Sequence, residues 1–191
     1  MRKSSLMGVP LLLAAGYFAF KWVLAGPVNA ERLVALGGMY HWSALTLLAV
    51  LGSFWMVRGR TSTRSFWGDF KQLTKPLVLY ALLAAASVWM WNHVVDRSST
   101  ELRKALRLAQ IEEHTSSEEA YAAFVASQNM DEGHALPDRD TYRAQATRQI
   151  HWMLSGGVTV VLSLLTYLFA AVILGLCATV LLHQIWGLST L

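Results

Sequence analysis

Four apolar runs alternate with polar stretches along the chain, and the last run is the longest. Residues 156–186 read GGVTVVLSLLTYLFAAVILGLCATVLLHQIW, and no Asp, Glu, Lys or Arg occurs after Arg148. As a helix rising about 1.5 Å per residue, this run extends roughly 46 Å, beyond the ~30 Å hydrocarbon thickness of a bilayer. Residues 6–25, 39–57 and 76–95 share its character. The pattern predicts an all-α polytopic membrane protein of four transmembrane helices, the fourth lying within 151–191.

The polar stretches differ from one another. Residues 26–38 carry Pro27, Glu31, Arg32 and a Gly37-Gly38 pair and read as a short neutral loop. Residues 58–75 hold Arg58, Arg60, Arg64, Lys71 and Lys75 against Asp69 alone. The positive-inside rule assigns this basic loop, and with it Arg2 and Lys3, to the cytoplasm, so both termini are expected inside. Within it Phe66, Phe70 and Leu73 fall at i, i+4 and i+7 beside Trp67 and Lys71. That spacing suits either a short amphipathic helix on the headgroups or an ordinary loop whose aromatics tuck under the bundle. Pro76 is expected in the first turn of the third span.

The insert, 96–150, carries ten acids and seven bases with a helical period at Leu102, Leu106 and Ala109. It predicts a helical extracytoplasmic arm: an extension of span three to about His114, a short helix bearing Tyr121 and Phe124 that covers the apolar seam, and a last helix running without interruption into span four. Thr115 and Ser116 stand three residues before Glu118 and Glu119, a capping-box spacing, and Asp138 and Asp140 are candidate caps of the last helix. Asp131, Glu132, Asp138 and Asp140 lack the spacing of a calcium loop, so capping accounts for them better.

Composition narrows the function classes. The chain has 191 residues, is 54% hydrophobic and is only 15% charged, against roughly 25% charged in an ordinary globular chain. The net charge of +4 follows no stripe of bases and aromatics, which argues against a nucleic-acid partner and leaves the lipid bilayer as the expected one. A basic start, an apolar run and Val28-Asn29-Ala30 resemble a cleavable signal, but the run is long for one. Lys21, beside Trp22, is expected to snorkel to the interface. Cys177 is the only cysteine and reads as a small buried packing residue.

Chemistry is sparse. The apolar centres of the spans contain no Asp, Glu, Lys or Arg, so small-molecule or ion-coupled transport lacks a visible polar path. No phosphate loop and no nucleophile–base spacing occurs, so no enzyme activity is expected. His41, His93 and His151 fall at the ends of spans two, three and four, on one side of the expected topology. Either they are belt residues beside Trp42, Trp91 and Trp152, or two of them ligate a haem or metal ion in an electron-transfer subunit. His183, at the other side, reads as an interfacial residue. Small residues Ala171, Gly175 and Thr179, continued by Thr159 and Ser163, form a close-approach stripe on span four. It serves packing within the bundle, or contact with a partner subunit or a second copy.

The segment Ser65-Phe66-Trp67-Gly68-Asp69-Phe70-Lys71, the helical insert after the third span and the glycine-containing last span resemble the uncharacterised four-span membrane proteins, a domain of unknown function, abundant in Bacteroidota. The chain departs from that pattern in its high tryptophan and histidine content and in lacking a basic tail. The resemblance implies a bacterial inner-membrane location and no known catalytic activity, and it supplies no functional residues; apart from the haem alternative, no cofactor is expected. The expected role is a non-catalytic accessory or structural subunit.

Overall fold

The computed structural model describes residues 8–25, 28–58, 65–127 and 137–189. Arg2, Lys3, Arg60, Arg64, Asp131 and Glu132 therefore lie outside the described residues. Among those described, every regular element is a helix: α1 Gly8–Leu24, α2 Ala30–Arg58, α3 Phe66–Met90, a π-helical turn Trp91–Val95, α4 Arg97–His114, α5 Glu118–Ser127, α6 Arg139–Met153 and α7 Gly156–Ser189. Three stretches are long and apolar enough to cross a membrane: Glu31–Arg58, Phe66–Val95 and Gly156–Ile185. The fourth apolar helix, α1, has 17 residues, about 26 Å at helical rise.

Two helices start earlier than expected. The Gly37-Gly38 pair lies inside α2, so this span opens at residue 30 and not 39. In water a glycine pair marks a break; between membrane helices it marks close approach. A Cβ at Gly37 would lie 3.3 Å from Tyr17 Oη and 3.4 Å from Lys21 Nζ, so α1 side chains use the room the glycine leaves. Likewise α3 begins at Phe66, where Ser65 Oγ accepts from the Gly68 N–H (3.2 Å) and caps the first turn. Residues 65–75 are therefore cap and helix rather than loop, and Pro76 sits in the helix interior. Without an N–H it makes no bond to the carbonyl four residues back, a loss tolerated more readily in membrane helices.

The chain divides into two compact units, Met1–Trp91 with Val160–Leu191, and Asn92–Thr159. In the first, α1, α2, α3 and the α7 residues from Val160 onward surround a core of Ala44, Leu45, Leu48, Leu77, Tyr80, Ala81, Ala84, Tyr167, Ala170 and Ala171. The apolar span of α7 buries the smallest share of its length; Leu165, Phe169 and Ile185 are among its exposed side chains. Cys177 is exposed, against expectation. It lies two residues from both Gly175 and Thr179, which face inward. At 100° per residue, that puts it on the opposite side of the helix.

In the second unit the Asp96 carboxylate accepts from the Ser99 N–H and caps α4. The Thr100 hydroxyl donates to the Asn92 carbonyl (2.7 Å), a group of the π-helical turn. Ser117 caps α5 by accepting from the Ala120 N–H (3.1 Å), and Asp138 caps α6 by accepting from the Thr141 N–H (3.0 Å). The last helix does not run on unbroken: α6 ends at Met153, and the Ser155 hydroxyl accepts from the Val158 N–H at the start of α7. The seam on α4 is also not covered as expected. Leu102 and Leu106 are each 56% exposed. Thr100, Leu108 and Ile111, on the opposite side of the helix, are among its sheltered positions, and α5 spends Tyr121 and Phe124 on Tyr142 of α6 and His114 of α4.

Candidate functional site

The interhelical hydrogen bonds of the bundle unit are made mostly by side chains that sequence reasoning treated as interfacial or did not single out; among them only His41 was a candidate ligand. Lys21 is the first. It is 1% exposed rather than snorkelling, and its ammonium donates to the Leu33 carbonyl of α2 at 3.0 Å. The ammonium lies 5.9 Å from the Tyr17 ring centroid and 5.5 Å from that of Trp91, distances at which an aromatic face attracts a cation. The Tyr40 hydroxyl of α2 returns the contact by donating to the Leu13 carbonyl of α1 at 2.8 Å. Gly16 makes this possible, because a Cβ there would come within 2.6 Å of Tyr40 Oη.

His41 follows on the inward face of α2. It is fully buried and sits 10 residues inside the span that starts at Glu31, about 15 Å along the axis. It does not open its helix, because the glycine pair before it is helical. Its Nδ1 and Tyr80 Oη of α3 share a hydrogen bond of 2.8 Å. Its ring stands 4.3 Å from the Tyr17 ring and 5.1 Å from the Tyr167 ring. Four helices thus meet at one imidazole, three of them through tyrosines. His41 Nε2 and Trp91 Nε1 are buried without a hydrogen-bond partner among the described residues.

The third fastening joins α3 to α7. Asp69 is fully buried, and its carboxylate lies 3.1 Å from His183 Nε2. His183 is therefore not a lone interfacial residue; its ring also approaches Phe66 at 5.4 Å. Between this pair and the His41–Tyr80 pair, α3 presents Leu73 and Leu77, and α2 presents Leu45 and Leu48, all at most 2% exposed. Two buried ionisable groups thus stand near helix ends, Lys21 three residues before the end of α1 and Asp69 three after the start of α3. Among the described residues these four leucines separate the two polar pairs on the α2 and α3 faces.

The other candidate positions divide plainly. Ala171, Gly175 and Thr179 face the bundle interior; Thr179 Oγ1 donates to the Gly175 carbonyl, and a Cβ at Gly175 would meet Thr74 Oγ1 at 2.5 Å. Ser163 is half-buried. Thr159, in the second unit, bonds His93 Nε2 at 3.2 Å. Of the proposed surface group, Phe66 and Phe70 are half-buried, while Trp67 and Lys71 are exposed on α3. His93 and His151 share the second unit, but His93 is held by Thr159 and His151 is exposed on α6. Among the described residues no three or more His, Cys, Asp or Glu side chains are grouped to hold a metal ion.

Sequence reasoning missed Lys21, Tyr40, Tyr80 and Asp69 as contacts between helices. The usable signal was depth: Asp69 and His183 stand near the same side of their two helices in any arrangement where α3 and α7 are antiparallel. Compared with protein-family models, with curated proteins and with solved structures, the chain matches none.

Proposed function

We propose that the chain is a four-span integral membrane protein acting as a non-catalytic interaction subunit, with both termini cytoplasmic and residues 92–159 forming an extracytoplasmic arm. One observation carries the non-catalytic reading: six polar side chains of the bundle join helices, Lys21 and Tyr40 between α1 and α2, His41 and Tyr80 between α2 and α3, Asp69 and His183 between α3 and α7. Interhelical hydrogen bonds of this kind hold membrane helices in place where hydrophobicity cannot draw them together. A bundle whose helices are fastened to one another, with Leu45, Leu48, Leu73 and Leu77 packed between the fastenings, suits a scaffold better than a conduit. The fourth span is α1, whose length of about 26 Å approaches the hydrocarbon thickness. The resemblance to the four-span proteins of Bacteroidota supports a bacterial inner membrane.

Two measurements test this. Extraction in mild detergent followed by mass determination should find a stoichiometric partner or a self-assembly; a strictly monomeric, partnerless protein overturns the interaction role. In a Cys177→Ser background, Ala122→Cys on α5, exposed in its unit, should react with a membrane-impermeant maleimide in intact cells. Reaction only after lysis overturns the topology.

A further inference from the structure

The unit Asn92–Thr159 is segregated by charge. Towards its two chain ends lie Arg97, Arg103, Lys104, Arg107 and Arg148 against Asp96 and Glu101; beyond them lie Glu112, Glu113, Glu118, Glu119, Asp138 and Asp140 against Arg139 and Arg143. Five bases face two acids at one end, and six described acids face two bases at the other. The fold makes this a spatial division. The His93–Thr159 contact of 3.2 Å brings the two chain ends together. The Glu112–Arg143 ion pair of 2.8 Å then sets α4 and α6 antiparallel, so that Arg107 and Arg148, each five residues nearer the chain ends, stand level. Both chain ends continue into the apolar helices that end at Val95 and begin at Gly156, so the basic end is the one next to the bilayer.

The same end exposes apolar side chains. Val94 and Val95 are 60% and 45% exposed, and Trp152 and Met153 are 62% and 42% exposed. A half-wet tryptophan beside valines, with arginines just beyond, is the composition of a lipid headgroup boundary. Arg97, Arg107 and Arg148 are all exposed. Arginine forks match phosphate bidentately, and anionic headgroups attract bases within about a Debye length of the surface.

We infer that the chain-end face of this unit is a docking surface for anionic phospholipid, with Trp152 in the headgroup layer and Arg97, Arg107 and Arg148 meeting lipid phosphate. The inference rests on the membrane location alone, so failure of the partner-subunit reading leaves it standing. The full-length protein is reconstituted in vesicles of equal parts phosphatidylglycerol and phosphatidylcholine and re-extracted, and the lipid retained is quantified. The wild type should retain phosphatidylglycerol preferentially. The triple variant Arg97→Gln/Arg107→Gln/Arg148→Gln should lose roughly fivefold or more of that enrichment. Arg139→Gln, in the acidic half and outside the Glu112–Arg143 pair, should keep it. An unchanged ratio in the triple variant, or an equal fall in the acidic-half variant, overturns the proposal. A second arm uses the wild type alone: enrichment should fall as salt is raised from about 0.05 M to about 0.5 M. Enrichment that is insensitive to salt also overturns it.

Discussion

If the polar side chains of the bundle are fasteners, the bond between His41 Nδ1 and Tyr80 Oη must carry a measurable coupling energy. Both residues are fully buried and 2.8 Å apart on different helices. His41→Leu strands the Tyr80 hydroxyl, and Tyr80→Phe strands the imidazole nitrogen; a buried polar group left unsatisfied costs about 1–3 kcal/mol. The cost in lipid is lower than in a dry core, because helices separated within the membrane still find other partners. Coupling energies measured between membrane helices average about 0.6 and reach about 1.7 kcal/mol. His41→Leu also removes a ring whose centroid lies 4.3 Å from that of Tyr17, so it should be the costlier single change. The double variant should be less destabilised than the sum of the singles by about 0.6–1.7 kcal/mol, a threefold to twentyfold effect on the unfolding equilibrium. Reversible unfolding of the four proteins in mixed detergent micelles, titrated with SDS and followed by circular dichroism, closes the cycle. A coupling within about 0.3 kcal/mol of zero would mean that the two side chains are neighbours and not a fastening, and the scaffold argument would lose its central element.

Three further outcomes follow from the same geometry. Gly175→Ala drives a Cβ to 2.5 Å from Thr74 Oγ1 and should cost about 1–3 kcal/mol in the same titration; adding Thr74→Ala should recover most of it, and no recovery would place the strain elsewhere. Asp69→Asn removes the charge facing His183, so amide exchange in residues 179–185 should quicken while exchange in α2 stays put; unchanged exchange in α7 would show the pair to be idle. The Asp138 carboxyl is held below its ordinary value of 3.8, first by the Thr141 backbone N–H and then by its hydroxyl. The lowered value means that its cap contributes fully above pH 3.8 and is lost as pH falls through the folded-state value. The Thr141 amide should lose exchange protection only in that acid range, and Asp138→Asn, which caps without a charge, should abolish the pH dependence.

How much of this was legible in the chain depends on the range of each signal. Apolar runs need no partner to be read, so the all-helical class and the long spans were visible in composition alone. Helix ends were misjudged where a residue has opposite meanings in water and in lipid. Gly37 and Gly38 break a helix in a soluble protein, yet at Gly37 the absence of a side chain admits Tyr17 and Lys21 of α1. Pro76 starts a helix on a surface and is carried in the interior of α3.

The candidate site was not legible, because its pairs have no local signature. His41 and Tyr80 are 39 positions apart, and Asp69 and His183 are 114 apart. By sequence Lys21 reads as interfacial because it stands near a helix end, where charge meets water, and Asp69 reads as the lone acid of a basic cytoplasmic loop. What turns them inward is rotation about the helix axis, which a run of nearly uniform hydrophobicity leaves open: α7 is apolar on every side, so periodicity does not say which face holds Gly175 and which holds Cys177. A polar residue in such a helix is therefore a mark of its inward face, as the small-residue stripe Ala171, Gly175 and Thr179 is on α7. It can be interpreted only after a second polar residue at the same depth has been found, as Asp69 is for His183 and Tyr80 for His41. The fastenings thus set the rotations of the helices that carry them, and the rest of each helix surface is left free to meet lipid.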